Sequence, residues 1–287
     1  MKFLLVRLGS LGLALAMAFA FSGAMAGANG FYQRLAVLAG IYVTLAVSLN
    51  LINGITGQFS LGHIGFYAMG AYTAAFISKS GGLTSSILPL SLQGGAGNVL
   101  ISLVLGSIVA AVGGVLVGLP SLRLRGDYLA IVTLGVGEIL RIVVQNQEAL
   151  GRSYGIVVSP KVGFIWLSTL LAALSVAACR NLQVTAKGLN FLAVREDEIA
   201  ASAMGVNVTR TKVIAFVIGS AFAGAAGAMA AHYEGFISPS LYTMDYSILI
   251  VTMVVLGGTG SITGSVIAAL LLFSIPEFMR DYPGTSM

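Results

Sequence analysis

Val99-Leu-Ile-Ser-Leu-Val-Leu-Gly106-Ser-Ile-Val-Ala110-Ala-Val-Gly-Gly114-Val-Leu-Val-Gly118 carries no charge and no alternation of apolar with polar residues. As a helix rising 1.5 Å per residue it extends about 30 Å, the thickness of the hydrocarbon core of a bilayer. In that solvent every backbone N–H and C=O must find its partner within the segment, which a helix achieves and an isolated strand does not. A barrel strand would alternate lipid-facing and lumen-facing residues over about ten positions, and this stretch does not. Gly106, Ala110, Gly114 and Gly118 recur every four residues and so share one helix face, where a second backbone can approach closely.

The rest of the chain repeats the pattern. Of its 287 residues 57% are hydrophobic and 9% charged, with a mean hydropathy of +0.96. Soluble domains carry about 25% charged residues, so lipid must cover most of this surface. Further apolar runs occupy Phe3–Ala26, Leu35–Ile52, Ile64–Ser78, Tyr128–Val144, Val162–Cys179, Val213–Ala231 and Tyr246–Phe273. The first, ending Ala24-Met25-Ala26, has the form of a signal peptide but is long enough to span, and it is read as an uncleaved helix. The last is interrupted by Gly257, Gly258, Gly260 and Gly264 and is expected to be broken or re-entrant. Gly219, Ala223 and Gly227 form a second small-residue face, read as packing within one molecule rather than a dimer seam. The expected fold is therefore all-α: a single polytopic domain over residues 1–287 with about eight transmembrane helices.

Threaded from a cytoplasmic N-terminus, the chain places Lys2, Arg7, Arg123, Arg125, Arg180, Lys187, Arg195, Arg210, Lys212 and Arg280 inside. Arg34, Lys79, Arg141, Arg152 and Lys161 fall outside. That bias toward the cytoplasm predicts the orientation and accounts for the net charge of +5 without nucleic acid. One cysteine (Cys179) and two histidines (His63, His232) argue on composition against a zinc site of His and Cys ligands. There is no Gly-Lys dipeptide and hence no P-loop, no Gly-x-Ser-x-Gly and no His-Glu-x-x-His. No cofactor is expected, and any ATP must be bound by another subunit. An intramembrane enzyme using Glu138, His63 and His232 is disfavoured, because the threading puts the two histidines on opposite sides.

Polar residues inside the apolar runs are candidates for a translocation path. Glu138 lies deep in one run, where an ionised carboxylate facing lipid costs at least about 2.5 kcal/mol. Arg141, three residues on, can share its face and offers a purely structural explanation. Asn53, Gln58, Ser60 and His63 lie in a glycine-rich polar stretch between two runs, read as either a helix break lining a path or a cytoplasmic loop. The segment Arg180–Lys212 is the remaining polar stretch. Within it Arg195, Glu196, Asp197, Glu198, Ile199, Ala200, Ala201, Met204 and Gly205 read as one short helix, with acids in the first turn, an apolar stripe and a glycine stop. It is expected to lie on the headgroups or to insert into a groove on a cytoplasmic partner.

These residues bring a resemblance into view. Gly57-Gln-Phe-Ser-Leu-Gly-His-Ile-Gly-Phe66 with Gly70-Ala-Tyr-Thr73, Leu122-Arg-Leu-Arg-Gly-Asp-Tyr-Leu-Ala-Ile-Val-Thr-Leu134, Arg195-Glu-Asp-Glu-Ile-Ala-Ala201, Gly235-Phe-Ile-Ser-Pro-Ser240 and Val255-Leu-Gly-Gly-Thr-Gly-Ser261 follow in order. The chain resembles the permease subunit of branched-chain amino-acid ABC importers, the LivM type. The resemblance implies an inner-membrane permease for Leu, Ile or Val, working with a sister permease, two cytoplasmic ABC ATPases and a periplasmic binding protein. It makes Arg195–Gly205 the coupling helix on which the ATPases push, although Ile199 stands where the importer signature has glutamate and Glu198 comes one residue early. A permease for urea or short-chain amides, and a non-transporting membrane scaffold, are the alternatives. Against the family pattern, Gln145–Lys161 is short, and the chain is expected to lack a final helix beyond Pro276–Arg280.

Overall fold

The computed structural model describes residues 18–25, 27–79, 95–121, 127–159 and 164–279. After the helical residues 18–25 come ten α-helices among the described residues: α1 Gly30–Asn50, α2 His63–Lys79, α3 Gly95–Ser121, α4 Asp127–Asn146, α5 Ile165–Val184, α6 Ala186–Glu196, α7 Glu198–Ala203, α8 Val208–Glu234, α9 Met244–Leu256 and α10 Ile262–Met279. Among the described residues six spans are long and apolar enough to cross a membrane: Gly30–Ile55, Gly97–Leu119, Tyr128–Asn146, Ile165–Val184, Val208–Glu234 and Pro239–Leu256. The helix α2 and the apolar part of α10 are shorter. Most of the expected first span, together with the Leu122–Gly126 part of one motif and the tail from Arg280, lies outside the described residues; residues 18–25 are helical.

The helices α1 and α8 form the centre, buried along most of their inner length, whereas α4 is mostly exposed and peripheral. Around them α8 packs against α3 and α2, and α1 against α5, α9 and α10. The small-residue face of α3 packs not on Gly219, Ala223 and Gly227 but on residues beside them: Gly106 and Ala110 of α3 lie against Gly224 and Ala228 of α8, with Gly70 of α2 in the same seam, while Gly219 faces Ile52 and Gly227 faces Tyr67 of α2. A methyl group added at Gly70 or Gly224 would overlap the backbone or a side chain of the neighbouring helix. Lipid provides no hydrophobic drive for helix association, so this close backbone approach supplies the dispersion contacts that hold the three helices together. The seam is internal to one chain.

Two interruptions shape the bundle. After α1 the backbone loosens into a π-helical turn, Leu51–Ile55, and then runs without regular structure from residue 57 to 62 before α2 begins at His63. Within this stretch Gln58, Ser60 and Gly62 are buried, while Gly57 and Phe59 between them are exposed. The second interruption separates α9 from α10 at Gly257–Ser261, where Gly258 (φ +87°) and Gly260 (φ +88°) take left-handed conformations open to glycine without strain. The long last run is thus a broken helix, as its glycines foretold. At the opposite end, Ile156–Val157 (β1) pairs antiparallel with Phe236–Ile237 (β2), tying the segment after α4 to the one after α8.

The polar segment is narrower than the sequence suggests. Helix α5 continues to Val184 and α8 begins at Val208, so residues 185–207 alone lie between them. Nor is Arg195–Gly205 one helix. Arg195 and Glu196 end α6, and Asp197 (φ −155°, ψ 115°) breaks the chain before α7. Asp197 does so because its carboxylate accepts hydrogen bonds from the N–H groups of Ile199 (2.7 Å) and Ala200 (3.1 Å), capping α7 at its positive end.

Candidate functional site

The short helix α7 is closed at both ends by its own sequence. Asp197 caps the start. At the finish Gly205 adopts φ +84°, its N–H bonds Ser202 O (3.0 Å) and the N–H of Val206 bonds Ala201 O (3.0 Å). This pair of crossed bonds is the glycine-terminated helix stop in which the last free carbonyls are satisfied. Ala201 is buried beneath, while Ile199 (70% exposed) and Met204 (85% exposed) stand outward. The result is a rigid knob presenting apolar side chains.

Its foot is held by charge. Lys212, 6% exposed on its side chain, pairs with Glu198 of α7 and thereby fixes the knob to the first turns of α8. The carbonyl of Lys212 also accepts a hydrogen bond from Gln58 Nε2 (3.5 Å). Arg195 lies across both interruptions: a β-carbon at Gly57 would stand 3.1 Å from Arg195 Cγ, and one at Gly260 2.5 Å from Arg195 Nη1. Glycine is required at both positions for conformation and for space, since Gly57 has φ +71°. Gly260 is gripped further by Asn50 Oδ1, which accepts from its N–H (2.8 Å), and by Gln183 Nε2, which donates to its carbonyl (3.1 Å). Arg195 and Lys212 were legible as positive charges, but nothing in the sequence tied them to Gly57, Gly260 or Glu198.

Four of the five candidate path residues come together. Asn53 and Ser60 lock the turn reciprocally, Asn53 Nδ2 donating to Ser60 O and Ser60 N–H donating to Asn53 Oδ1, both at 3.1 Å. His63, fully buried, shares a hydrogen bond with Ser48 Oγ of α1 through its Nε2 (2.9 Å). Gln58 Oε1, Ser60 Oγ, His63 Nδ1 and Asn50 Nδ2 are buried without a hydrogen-bond partner among the described residues. Orphan polar atoms are rare in folded interiors, because each forfeits its hydration, and four of them concentrate at this one break. Glu138 stands apart on peripheral α4. Its carboxylate pairs with Arg141 (2.8 Å) along the same helix, each side chain about a third exposed (32% and 29%).

At the other end of α1 and α8 lies an open-mouthed cavity of about 250 Å³ that the sequence gave no sign of. Arg34 of α1 and Glu234 of α8 stand in its wall near the ends of their helices, and Leu45 and Ile64 also line it. From Arg34 to Leu45 is eleven residues of helix, about 16 Å. Ser48 and His63 lie within one turn of Leu45 and Ile64. The cavity therefore points along α1 toward the buried polar break, although none of the five candidate path residues lines it.

Residues 31–285 match the family described as "Branched-chain amino acid transport system / permease component". The chain is 38% identical to the high-affinity branched-chain amino acid transport system permease protein LivM of Salmonella typhimurium, over 88% of this chain and 64% of that protein. Against the probable branched-chain amino acid transport permease protein LivM of Methanocaldococcus jannaschii the identity is 28% over 84% and 79%. Against LivH of Escherichia coli it is 26% over 82% and 80%. The chain thus spans just under two thirds of the length of the Salmonella relative. No solved structure matches it.

Proposed function

This chain belongs to the branched-chain amino acid transport permease family, and from that premise we propose that it lines the translocation path of an ATP-driven importer for Leu, Ile or Val. It works as one multi-pass domain of the bacterial inner membrane, N-terminus in the cytoplasm, with residues 180–212 on the cytoplasmic side. It carries out no chemistry of its own; two ABC ATPases hydrolyse ATP, a sister permease completes the channel, and a periplasmic binding protein delivers the solute. The observation that carries the proposal is the knob: an exposed apolar pair on a doubly capped helix, anchored by Lys212–Glu198 and adjoining both helix interruptions through Arg195.

A push on the knob reaches the membrane interior through contacts of this chain. Displacing α7 moves Glu198 against Lys212 at the base of α8, and with it the carbonyl that holds Gln58. Displacing the end of α6 moves Arg195 over Gly57 and Gly260, where two broken helices meet. Broken helices have few intrahelical bonds to lose there, so two arrangements of the break differ by little and a partner's binding energy can select between them. The buried orphan atoms of Gln58, Ser60 and His63 are the groups a passing polar solute or its water would satisfy in the open arrangement.

The test is uptake of labelled leucine and labelled urea by cells carrying the whole transporter, with and without this subunit. Leucine uptake is expected to depend on it; unchanged leucine uptake, or dependence of urea uptake instead, overturns the substrate assignment. Ile199→Asp with Met204→Asp changes only exposed side chains, so the protein is expected to reach the membrane yet lose its ATPases on co-purification. Retention of the ATPases at wild-type level removes the docking role.

A further inference from the structure

The strap of chain between α1 and α2 is held at one residue by two helices remote in sequence. The N–H of Leu61 donates to Thr133 Oγ1 of α4 (3.1 Å), and the carbonyl of Leu61 accepts from Ser247 Oγ of α9. Thr133 donates its own proton to Ala130 O within α4 (3.0 Å), so its oxygen serves Leu61 as an acceptor. Both hydroxyl residues are buried, each 1% exposed, although α4 is otherwise mostly exposed. The approach is close, since a β-carbon at Gly62 would overlap the backbone of Thr133. This junction lies between the cavity and the polar break. Ile250 follows Ser247 by one turn of α9, Leu45 precedes Ser48 by one turn of α1, and Ile64 is the second residue of α2; all three line the cavity. On the other side Ser60, next in the chain to Leu61, carries a buried Oγ without a hydrogen-bond partner among the described residues.

We propose that Thr133 and Ser247 are positioning residues that hold the Leu61 peptide as a closed gate between the cavity and the break, and that releasing their two hydrogen bonds joins the two into one path. The inference rests on the proposed function and adds to it the residues that shut the path. Residues 57–62 have no regular structure, so opening at Leu61 forfeits two hydrogen bonds to side chains and not a cooperative run of helix. That cost lies within what a partner's binding energy can supply. Arg195 bears on Gly57 at the start of the same strap, so a push arriving from the knob reaches the gate along the chain. Helix α4 thus acts on the path through Thr133, while the Glu138–Arg141 pair farther along it takes no part.

Ser60→Cys keeps the size of the side chain and makes the atom beyond the gate a probe; the native Cys179, buried where α5 meets α1, reports any general loosening. Right-side-out vesicles carrying the full-length S60C protein are treated on the outer face with a membrane-impermeant methanethiosulfonate, and modification is read by mass spectrometry. The reaction is expected to be slow. T133V or S247A added to S60C is expected to speed it about tenfold, with Cys179 still unmodified, whereas T133S or S247T keeps it slow. Fast reaction of S60C alone, no acceleration in either T133V or S247A, or acceleration only together with Cys179 overturns the gate. A second comparison removes neither hydroxyl: in the assembled importer S60C should react faster during ATP turnover than at rest, and equal rates overturn the gate. If leucine uptake depends on the subunit while S60C stays protected throughout, the gate falls and the transport assignment stands. If T133V and S247A open S60C while leucine uptake does not need the subunit, the transport assignment falls and the gate stands.

Discussion

Glu138–Arg141 and Glu198–Lys212 are both pairs of opposite charge, and they occupy contrasting surroundings. Glu138 draws attention because it interrupts an apolar run, yet it pairs with a residue three positions along its own helix, on the peripheral span α4, and both side chains keep about a third of their surface exposed. Lys212 attracts none, sitting in a polar stretch full of charge, yet its ammonium is nearly enclosed and joins two helices. Removing a partner from an enclosed pair strands a charge, whereas an exposed pair contributes little net stability. A charge in an apolar run thus marks where a partner is needed, and does not by itself mark the site of action.

The contrast can be broken by substitution. Glu198→Gln leaves the enclosed Lys212 ammonium without its counter-charge and is expected to cost about 3 kcal/mol, read as a lowered thermal midpoint of the purified protein and loss of the ATPases on co-purification. Glu198→Gln with Lys212→Met should restore most of that midpoint; a double variant as unstable as the single would deny the pair its clamping role. Gly205→Pro, which cannot adopt φ +84°, should cost about 2 kcal/mol within the knob and abolish ATPase association while membrane insertion persists. Wild-type co-purification of that variant would detach α7 from docking.

Gly260→Ala places a methyl group at φ +88°, 2.5 Å from Arg195 Nη1, and is expected to cost about 1–2 kcal/mol. Adding Arg195→Ala relieves the contact but not the backbone strain, so the two substitutions should be non-additive in a double-mutant cycle. Additive losses would show that Arg195 does not bear on Gly260. The smallest change is expected for Glu138→Gln with Arg141→Gln: stability within about 1 kcal/mol and leucine uptake within about twofold. A tenfold loss of uptake with normal membrane levels would return Glu138 to the translocation path.

Much of the fold was legible in the sequence because lipid imposes simple rules. The run Val99–Gly118 had to be a helix, Gly106 and Ala110 had to face another backbone, and the glycines from Gly257 to Gly260 had to interrupt the last run, whereas Gly264 is carried inside α10. The continuous helix read over Arg195–Gly205 failed for a local reason: the Asp197 carboxylate takes the first N–H groups of α7, which ends α6 one residue earlier. The candidate residues Asn53, Gln58, Ser60 and His63 lie on one stretch of chain, while the orphan atoms of Gln58, Ser60 and His63 emerged only once the surrounding side chains were in place. The cavity between Arg34 and Glu234 left no trace in the sequence, since each residue reads alone as an ordinary charge at the edge of an apolar run.

What the sequence determined by itself is the solvent, the helices that span it and the places where they break. Those follow from side-chain hydropathy and from the left-handed freedom of glycine, which act within a few residues of chain. Only the tertiary structure decided which charges meet. Pairing Lys212 with Glu198, laying Arg195 across Gly57 and Gly260, and setting Arg34 and Glu234 on one cavity all depend on how helices rotate and slide along seams of small residues. Dispersion contacts set those rotations, and they are a property of surfaces in contact rather than of any one stretch of chain.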